Sequence, residues 1–263
     1  MVKRKLRDAR VLVTGASSGI GRALVCELGR RGARILMTAR REERLQHLQQ
    51  DLAKSQIKTH YVAGDITDNG LRQSLLVAAV ECFGGIDILV NNAGVGAVGK
   101  FIESDEARLR EIMEVNFFSP VELARVALPI LQKGINPMIV NVGSVLGHRA
   151  IPQKSEYCCA KFALHGFSDA IRAELVASKV DVLLVSPSTT RSDFFRSLLA
   201  GRQEPQGAVV SRGMPSEVVA RLTANAMAAG RHEVILTSGG KLLVWLDRLC
   251  PPIMDRVVSQ WGH

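Results

Sequence analysis

Seven short runs rich in β-branched and aliphatic residues recur along the chain, each followed by a longer stretch with helical spacing. They are RVLVTG (10–15), RILMTA (34–39), THYVAG (59–64), IDILVNN (86–92), MIVNVGS (138–144), VDVLLVSP (180–187) and HEVILT (232–237). Between them apolar residues fall three and four apart, as at Leu24 and Leu28 or at Leu71, Leu75 and Ala78, the period of a helix with one buried face. Strands apolar on both sides must be covered on both sides, and parallel neighbours need long crossovers. The alternation therefore predicts an α/β fold, a doubly wound parallel sheet with helices on both faces. No linker, internal repeat or block of like charge divides the 263 residues, so one domain is expected.

Ligands of such a sheet bind at the carboxyl ends of the strands, so the residues just after each run matter most. After the first comes TGASSGIG (14–21), with Gly15, Gly19 and Gly21 spaced GxxxGxG. Glycines there permit a tight turn and close backbone approach, and the next helix offers unpaired N–H groups to a pyrophosphate. The spacing is not the GxGxxG fingerprint, and a structural turn is the alternative. After the second run, where an acidic residue usually meets the ribose 2′-hydroxyl, stand Ala39, Arg40 and Arg41. A guanidinium pairs with a 2′-phosphate that a carboxylate would repel, so NADPH is expected over NADH, with a solvated RREER helix start as the alternative. Asp65, after the third run, either accepts from an adenine amino group or serves the following helix, for which Thr67 or Asp68 is the better cap. NNAG (91–94) closes the fourth run with small residues against which a ribose can lie.

The fifth run ends at Ser144 and the sixth enters SPSTTRS (186–192); between them SEYCCAKFAL (155–164) sets Tyr157 four residues before Lys161. On a helix that spacing presents both to one volume. A carbonyl between Ser144 and Tyr157 would find two hydroxyl donors, and a nearby cation would favour the phenolate of a group whose ordinary pKa is about 10. Each residue taken singly also has a purely structural reading.

Taken together and in this order, TGASSGIG, NNAG, Asn116 in EVNFFSP, Ser144 in NVGSVLG and YCCAK (157–161) resemble the short-chain dehydrogenase/reductase family, NADP-preferring type, over about residues 8–237. The resemblance implies a Rossmann-type sheet of order 3-2-1-4-5-6-7 and an NADP(H)-dependent oxidoreductase that interconverts a carbonyl and an alcohol by hydride transfer, with NAD(H) as the alternative cofactor. It implies Tyr157 as acid/base and Ser144 as the group that orients the substrate oxygen. Lys161 would hold the nicotinamide ribose and lower the phenol pKa, and Asn116 would anchor a water leading to solvent. Cofactor contacts are implied at Gly15, Ser17, Ser18, Gly19, Ile20, Gly21, Asp65, Ile66, Asn92, Ala93, Gly94 and Pro187, with Arg40 as the 2′-phosphate ligand.

The chain departs from the family pattern in two places. Pro187-Ser188 stands where Pro-Gly with a threonine shortly beyond is common, so Thr190 and Ser192 are offered as the cofactor contacts there, with a substrate loop over about 189–213. A tail (about 239–263) with Leu242, Leu243, Leu246, Leu249 and Ile253, two tryptophans and several basic residues follows the last run. It is expected to pack on the subunit, cover the substrate mouth, seal a homodimer or homotetramer, or touch a membrane surface peripherally. It resembles the tails of steroid- and lipid-directed relatives, which favours an apolar steroid-, retinoid- or lipid-like substrate.

A formal charge of +9 invites a polyanion partner, but the basic residues are dispersed, without aromatic interleaving or zinc-finger spacing, so no nucleic acid is expected. The five cysteines (26, 82, 158, 159, 250) form no CxxC and no metal-ligand spacing, so reduced thiols and no metal are expected, with Cys158 and Cys159 as helix-packing residues. No apolar run approaches the roughly 18 residues of a membrane span, and no signal peptide is expected, which points to the cytoplasm. The rival to an enzyme is a non-catalytic NADP-binding regulatory or interaction protein of the same fold.

Overall fold

The computed structural model describes residues 3–191 and 213–260. All seven runs are strands of one parallel sheet: β1 (Arg10–Thr14), β2 (Arg34–Ala39), β3 (Thr59–Ala63), β4 (Ile88–Asn91), β5 (Met138–Val142), β6 (Asp181–Ser186) and β9 (Glu233–Ile235). Their spatial order is β3-β2-β1-β4-β5-β6-β9, the expected order, because the last sheet strand follows a separate short pair. That pair, β7 (Thr190–Arg191) with β8 (Met214–Pro215), is also parallel.

Alternate residues of each strand feed opposite layers, which is why the runs are apolar throughout. Val11 and Val13 of β1, with Ile35 and Met37 of β2, pack under α1 (Gly19–Arg30), α2 (Glu42–Lys54) and α7 (Ser216–Ala228). Leu12, Leu36 and Leu89 face α3 (Asn69–Phe83) and α5 (Ser119–Leu131). Leu24, Leu28 and Leu75 are fully buried, and truncating any one to alanine costs about 2–5 kcal/mol. Asp68 caps α3 by accepting from the Gly70 N–H at 2.9 Å, and Gly84, at φ 76°, ends it in the left-handed conformation.

Three further elements frame the carboxyl edge. α4 (Glu106–Met113) runs into a π-helical turn (Glu114–Phe118) that carries Asn116 into α5, and α6 (Ser155–Glu174) carries Tyr157 and Lys161. The tail forms α8 (Ser238–Leu249) and α9 (Pro251–Ser259), the prolines sitting in the first turn of α9 where a missing N–H costs nothing. Leu242, Trp245, Leu246 and Leu249 follow i, i+3, i+4, i+7 spacing, and all are exposed, Trp245 by 65% and Leu249 by 68%; Ile253 extends the same apolar surface onto α9. Arg149 holds both tail helices, pairing with Asp247 at 2.7 Å and Asp255 at 2.6 Å. Among the described residues no helix is long and apolar enough to cross a membrane.

Candidate active site

A cleft of about 840 Å³ runs along the carboxyl ends of the strands from Arg40 to Tyr157. Every residue expected at the site lines it except Gly21, Asn116 and Ser192; Ser192 lies outside the described residues.

The phosphate end is built from the turn after β1. Gly15 adopts φ 66°, and a methyl at Gly21 would overlap the Gly15 carbonyl oxygen, so the helix can start against the strand only with glycines there. Asn92 stitches this turn to β4: its Nδ2 donates to the carbonyls of Thr14 (2.9 Å) and Gly15 (3.3 Å). The N–H groups of Asn92 and Ala93 both donate to Thr14 Oγ1 at 2.9 Å. Ser18, the residue before α1, makes no side-chain capping bond, so its hydroxyl leaves the first turn of the helix open to an anion.

At the end of β2 the two arginines diverge. Arg40 is 63% exposed and approaches Asp65 at 3.9 Å. Arg41 reaches back over the glycine turn, donating from Nη2 to Ser18 Oγ at 2.7 Å and to Ser17 Oγ at 3.2 Å. Arg41 also lines the cleft; its position beside Arg40 was the available signal for it. Asp65 does not cap α3: its Oδ1 accepts from Thr67 N–H (3.0 Å) and Oγ1 (2.8 Å), while Asp68 performs the capping. Oδ2 is the oxygen turned towards Arg40.

The chemical end joins the exits of β5 and β6 to one face of α6. Ser144 Oγ accepts from the Leu146 N–H at 3.1 Å and shares a hydrogen bond with Tyr157. Burial pushes the phenol up to about 12, and the Ser144 bond offsets only part of that. Lys161 donates to the Val142 carbonyl at 3.0 Å and stands 5.7 Å from the Tyr157 ring centre; removal from water brings its ammonium down to about 8. The resemblance implies a lowered phenol pKa; here desolvation outweighs the Ser144 hydrogen bond, and the phenol stays protonated.

Asn116 acts inside the wall. Its Nδ2 donates to the Val95 carbonyl at 2.8 Å and its Oδ1 accepts from the Val95 N–H at 3.0 Å, so the amide clamps the segment after β4. The start of α6 is fixed by Glu156, which binds Ser104 and the buried Arg108, the latter at 2.7 Å. Behind Ser144, His148 bonds Ser186 Oγ at 2.9 Å; burial takes its pKa down to about 4, so the ring is neutral at physiological pH. Cys158 is buried, and burial raises its thiol pKa, as befits a packing residue, whereas Cys159 is exposed and is not one.

At the exit of β6 the Pro187 carbonyl accepts from the Val145 N–H at 2.9 Å, and Thr190 Oγ1 is engaged by the Ser188 carbonyl at 3.0 Å. The substrate side of the cleft is lined by Val95, Val98, Leu146, Ile151 and, from the tail, Leu243. The residues present fit a nicotinamide dinucleotide. The glycine turn leaves a cradle that side chains would fill, Arg40 and Arg41 line the cleft at the end of β2, and the cleft links that end to Tyr157.

Comparison with known proteins agrees with this arrangement. The profile of the short chain dehydrogenase family matches residues 9–203. Dehydrogenase/reductase SDR family member 7B of Mus musculus is 30% identical, covering 98% of this chain and 82% of its own length. The uncharacterized oxidoreductase YxnA of Bacillus subtilis is 29% identical over 98% of this chain and 73% of its own. Among solved structures, a short chain dehydrogenase/reductase from Burkholderia phymatum in complex with NAD superposes with a TM-score of 0.89 at 24% identity, covering 95% of this chain and 96% of that one. An alcohol dehydrogenase from Thermococcus sibiricus complexed with 5-hydroxy-NADP gives 0.76 at 23% identity, over 86% of this chain and 94% of that one. At those identities the structural likeness speaks for the fold.

Proposed function

The chain belongs to the short-chain dehydrogenase family, and on that footing we propose that it is an NADP(H)-dependent oxidoreductase interconverting a carbonyl and an alcohol, with Tyr157 as acid/base. The observation that carries this reading is the convergence of Ser144, Tyr157 and Lys161 on the cleft that also holds the glycine turn. When bound, the nicotinamide supplies or accepts the hydride. Gly15, Ser17 to Gly21, Asn92 to Gly94 and Pro187 would hold the cofactor's backbone, and Asp65 and Ile66 its adenine end. Preference for the 2′-phosphorylated form rests on Arg40 and Arg41 and on the lack of a carboxylate at the end of β2.

In reduction, Ser144 and Tyr157 donate to the carbonyl oxygen, and the phenol delivers its proton as negative charge grows there. A phenol at about 12 is ready for that direction. Use as a base requires its pKa to fall, at about 1.4 kcal/mol per unit, which the Lys161 ammonium and a positive ring in the cleft would favour. The same phenol serves either direction, and reduction is the one proposed. The aliphatic walls favour an apolar substrate.

A homodimer or homotetramer belongs to the same reading, supported by exposed Leu109, Phe118 and Phe162 on neighbouring α4, the π turn and α6. The tail's apolar face is proposed as a peripheral membrane contact on the cytoplasmic side. Asp247 and Asp255 are both taken by Arg149, which leaves Lys241, Arg248 and Arg256 to meet anionic headgroups.

The test is Tyr157→Phe, assayed by NADPH oxidation with a panel of ketones, aldehydes, steroids and retinoids and by NADPH fluorescence titration. Turnover should vanish while affinity for NADPH stays within about threefold, since only a hydroxyl is lost. Retained turnover would refute the assignment. Tight NADPH binding with no turnover by the parent protein on any carbonyl would favour the regulatory alternative.

A further inference from the structure

Among the described residues, the charged groups lining the cleft have hydrogen-bond or ion-pair partners, with one exception. Arg41 donates to Ser17 and Ser18, Arg40 faces Asp65, and Lys161 donates to the Val142 carbonyl. Lys154 lines the same cleft, half-buried at the start of α6 and three residues before Tyr157. Among the described residues neither a hydrogen-bond acceptor nor a carboxylate meets its ammonium.

Its surroundings sharpen the anomaly. Val95, Val98, Leu146, Ile151 and Leu243 bring aliphatic side chains to the cleft, and the one carboxylate among the described lining residues, Asp65, lies after β3 beside Arg40. Burial presses the Lys154 pKa below its ordinary value and the neighbouring Cys158 offsets only part of that, the sign of a charge that has lost water without gaining a carboxylate partner. A half-buried ammonium in an apolar cleft costs free energy until an anion arrives, and the arriving anion gains a charge-assisted hydrogen bond in a weakly screened place. One ammonium without a neighbouring arginine fork suits a singly charged carboxylate better than a phosphate dianion.

Resting on the reading of the cleft as a carbonyl–alcohol active site, we propose that Lys154 anchors a carboxylate of the substrate, which is therefore an apolar oxo acid or its hydroxy acid. A neutral steroid or retinoid would leave the ammonium unpaired; an aliphatic acid fills the apolar walls and neutralises the lysine together. Lys154 is a specificity-determining residue in this scheme, with no part in proton transfer.

The experiment is a calorimetric titration of octanoate and of octanamide into the purified protein, with and without saturating NADP+. The pair share a chain and differ in charge. Octanoate should bind at least roughly tenfold more tightly than octanamide, the scale of one hydrogen bond to a charged group. Lys154→Met should erase that difference while leaving octanamide affinity unchanged, and Lys154→Arg should keep it. Equal affinities in the parent protein, absent octanoate binding, or a preference that survives Lys154→Met would each overturn the proposal. Because binding is read without turnover, a protein that prefers octanoate through Lys154 but ignores NADP+ would sink the oxidoreductase reading and leave Lys154 as a carboxylate-binding residue without a substrate role, so the two failures are distinguishable.

Discussion

Replacing Arg41 by alanine should damage NADPH binding far more than replacing Arg40, although the two are adjacent in the sequence. Arg41 is held over the phosphate turn by bonds of 2.7 and 3.2 Å to Ser18 and Ser17, so its guanidinium is oriented before any ligand arrives. A hydrogen bond to a charged group is worth about 1.5–3 kcal/mol, and 1.4 kcal/mol is a factor of ten. Arg41→Ala should therefore raise the Kd for NADPH roughly ten- to 150-fold. Arg40 is 63% exposed and only 3.9 Å from Asp65; an exposed pair of that kind contributes about 0–1 kcal/mol, so Arg40→Ala should cost at most about fivefold. The Kd for NADH, which has no 2′-phosphate, should stay within about threefold for both variants. Fluorescence titration of the two cofactors against the three proteins gives all six constants. Equal losses for NADH and NADPH in Arg41→Ala would show that Arg41 merely props the turn, and a larger effect at Arg40 would return the phosphate to the exposed residue.

Three further outcomes are expected. With Lys161 titrating near 8 and Tyr157 near 12, the phenol stays protonated throughout while the lysine charge is present below pH 8 and lost above it. The kcat/KM for NADPH should thus fall towards tenfold per pH unit above about 8, and a profile flat to pH 10 would contradict the role of the charge. Arg108→Ala strands the Glu156 carboxylate, 5% exposed beside Ser104, and should cost about 3–5 kcal/mol in urea unfolding; a loss under 1 kcal/mol would mean that the pair is not holding α6. Leu249→Glu should abolish co-sedimentation with vesicles containing phosphatidylglycerol without changing molar mass by light scattering, whereas a fall to monomer mass would make the tail a subunit interface instead.

The sheet was legible because its physics is local: runs apolar on both sides have few folds open to them, and strand order followed from the motif resemblance. The glycine turn and the Tyr157–Lys161 spacing were legible for the same reason, each being set within eight residues. What escaped depends on side-chain direction or on distant packing. Nothing in RREER says which arginine turns inward, and nothing in KSEY marks Lys154 as a cleft residue. Leu243 reaches the substrate wall only because α8 docks beside the turn that follows Ser144. Asn116 gave no hint that its amide would be closed by Val95, twenty-one residues earlier, and the phenol's upward shift is set by desolvation in the folded cleft.

The short ladder of β7 with β8 bears on how such a chain can diversify. Thr190 and Arg191 lie beside Met214 and Pro215, with the Met214 N–H on the Thr189 carbonyl at 2.9 Å and Ser216 Oγ on the Arg191 carbonyl at 2.8 Å. Arg191 and Met214 therefore stand at neighbouring points of the fold, and this ladder joins the two ends of the described chain. Doubling the length of a connection between such points adds only about 0.6 kcal/mol of closure entropy. A change of length between those two points is therefore cheap, and neither the sheet nor the glycine turn has to move to accept it.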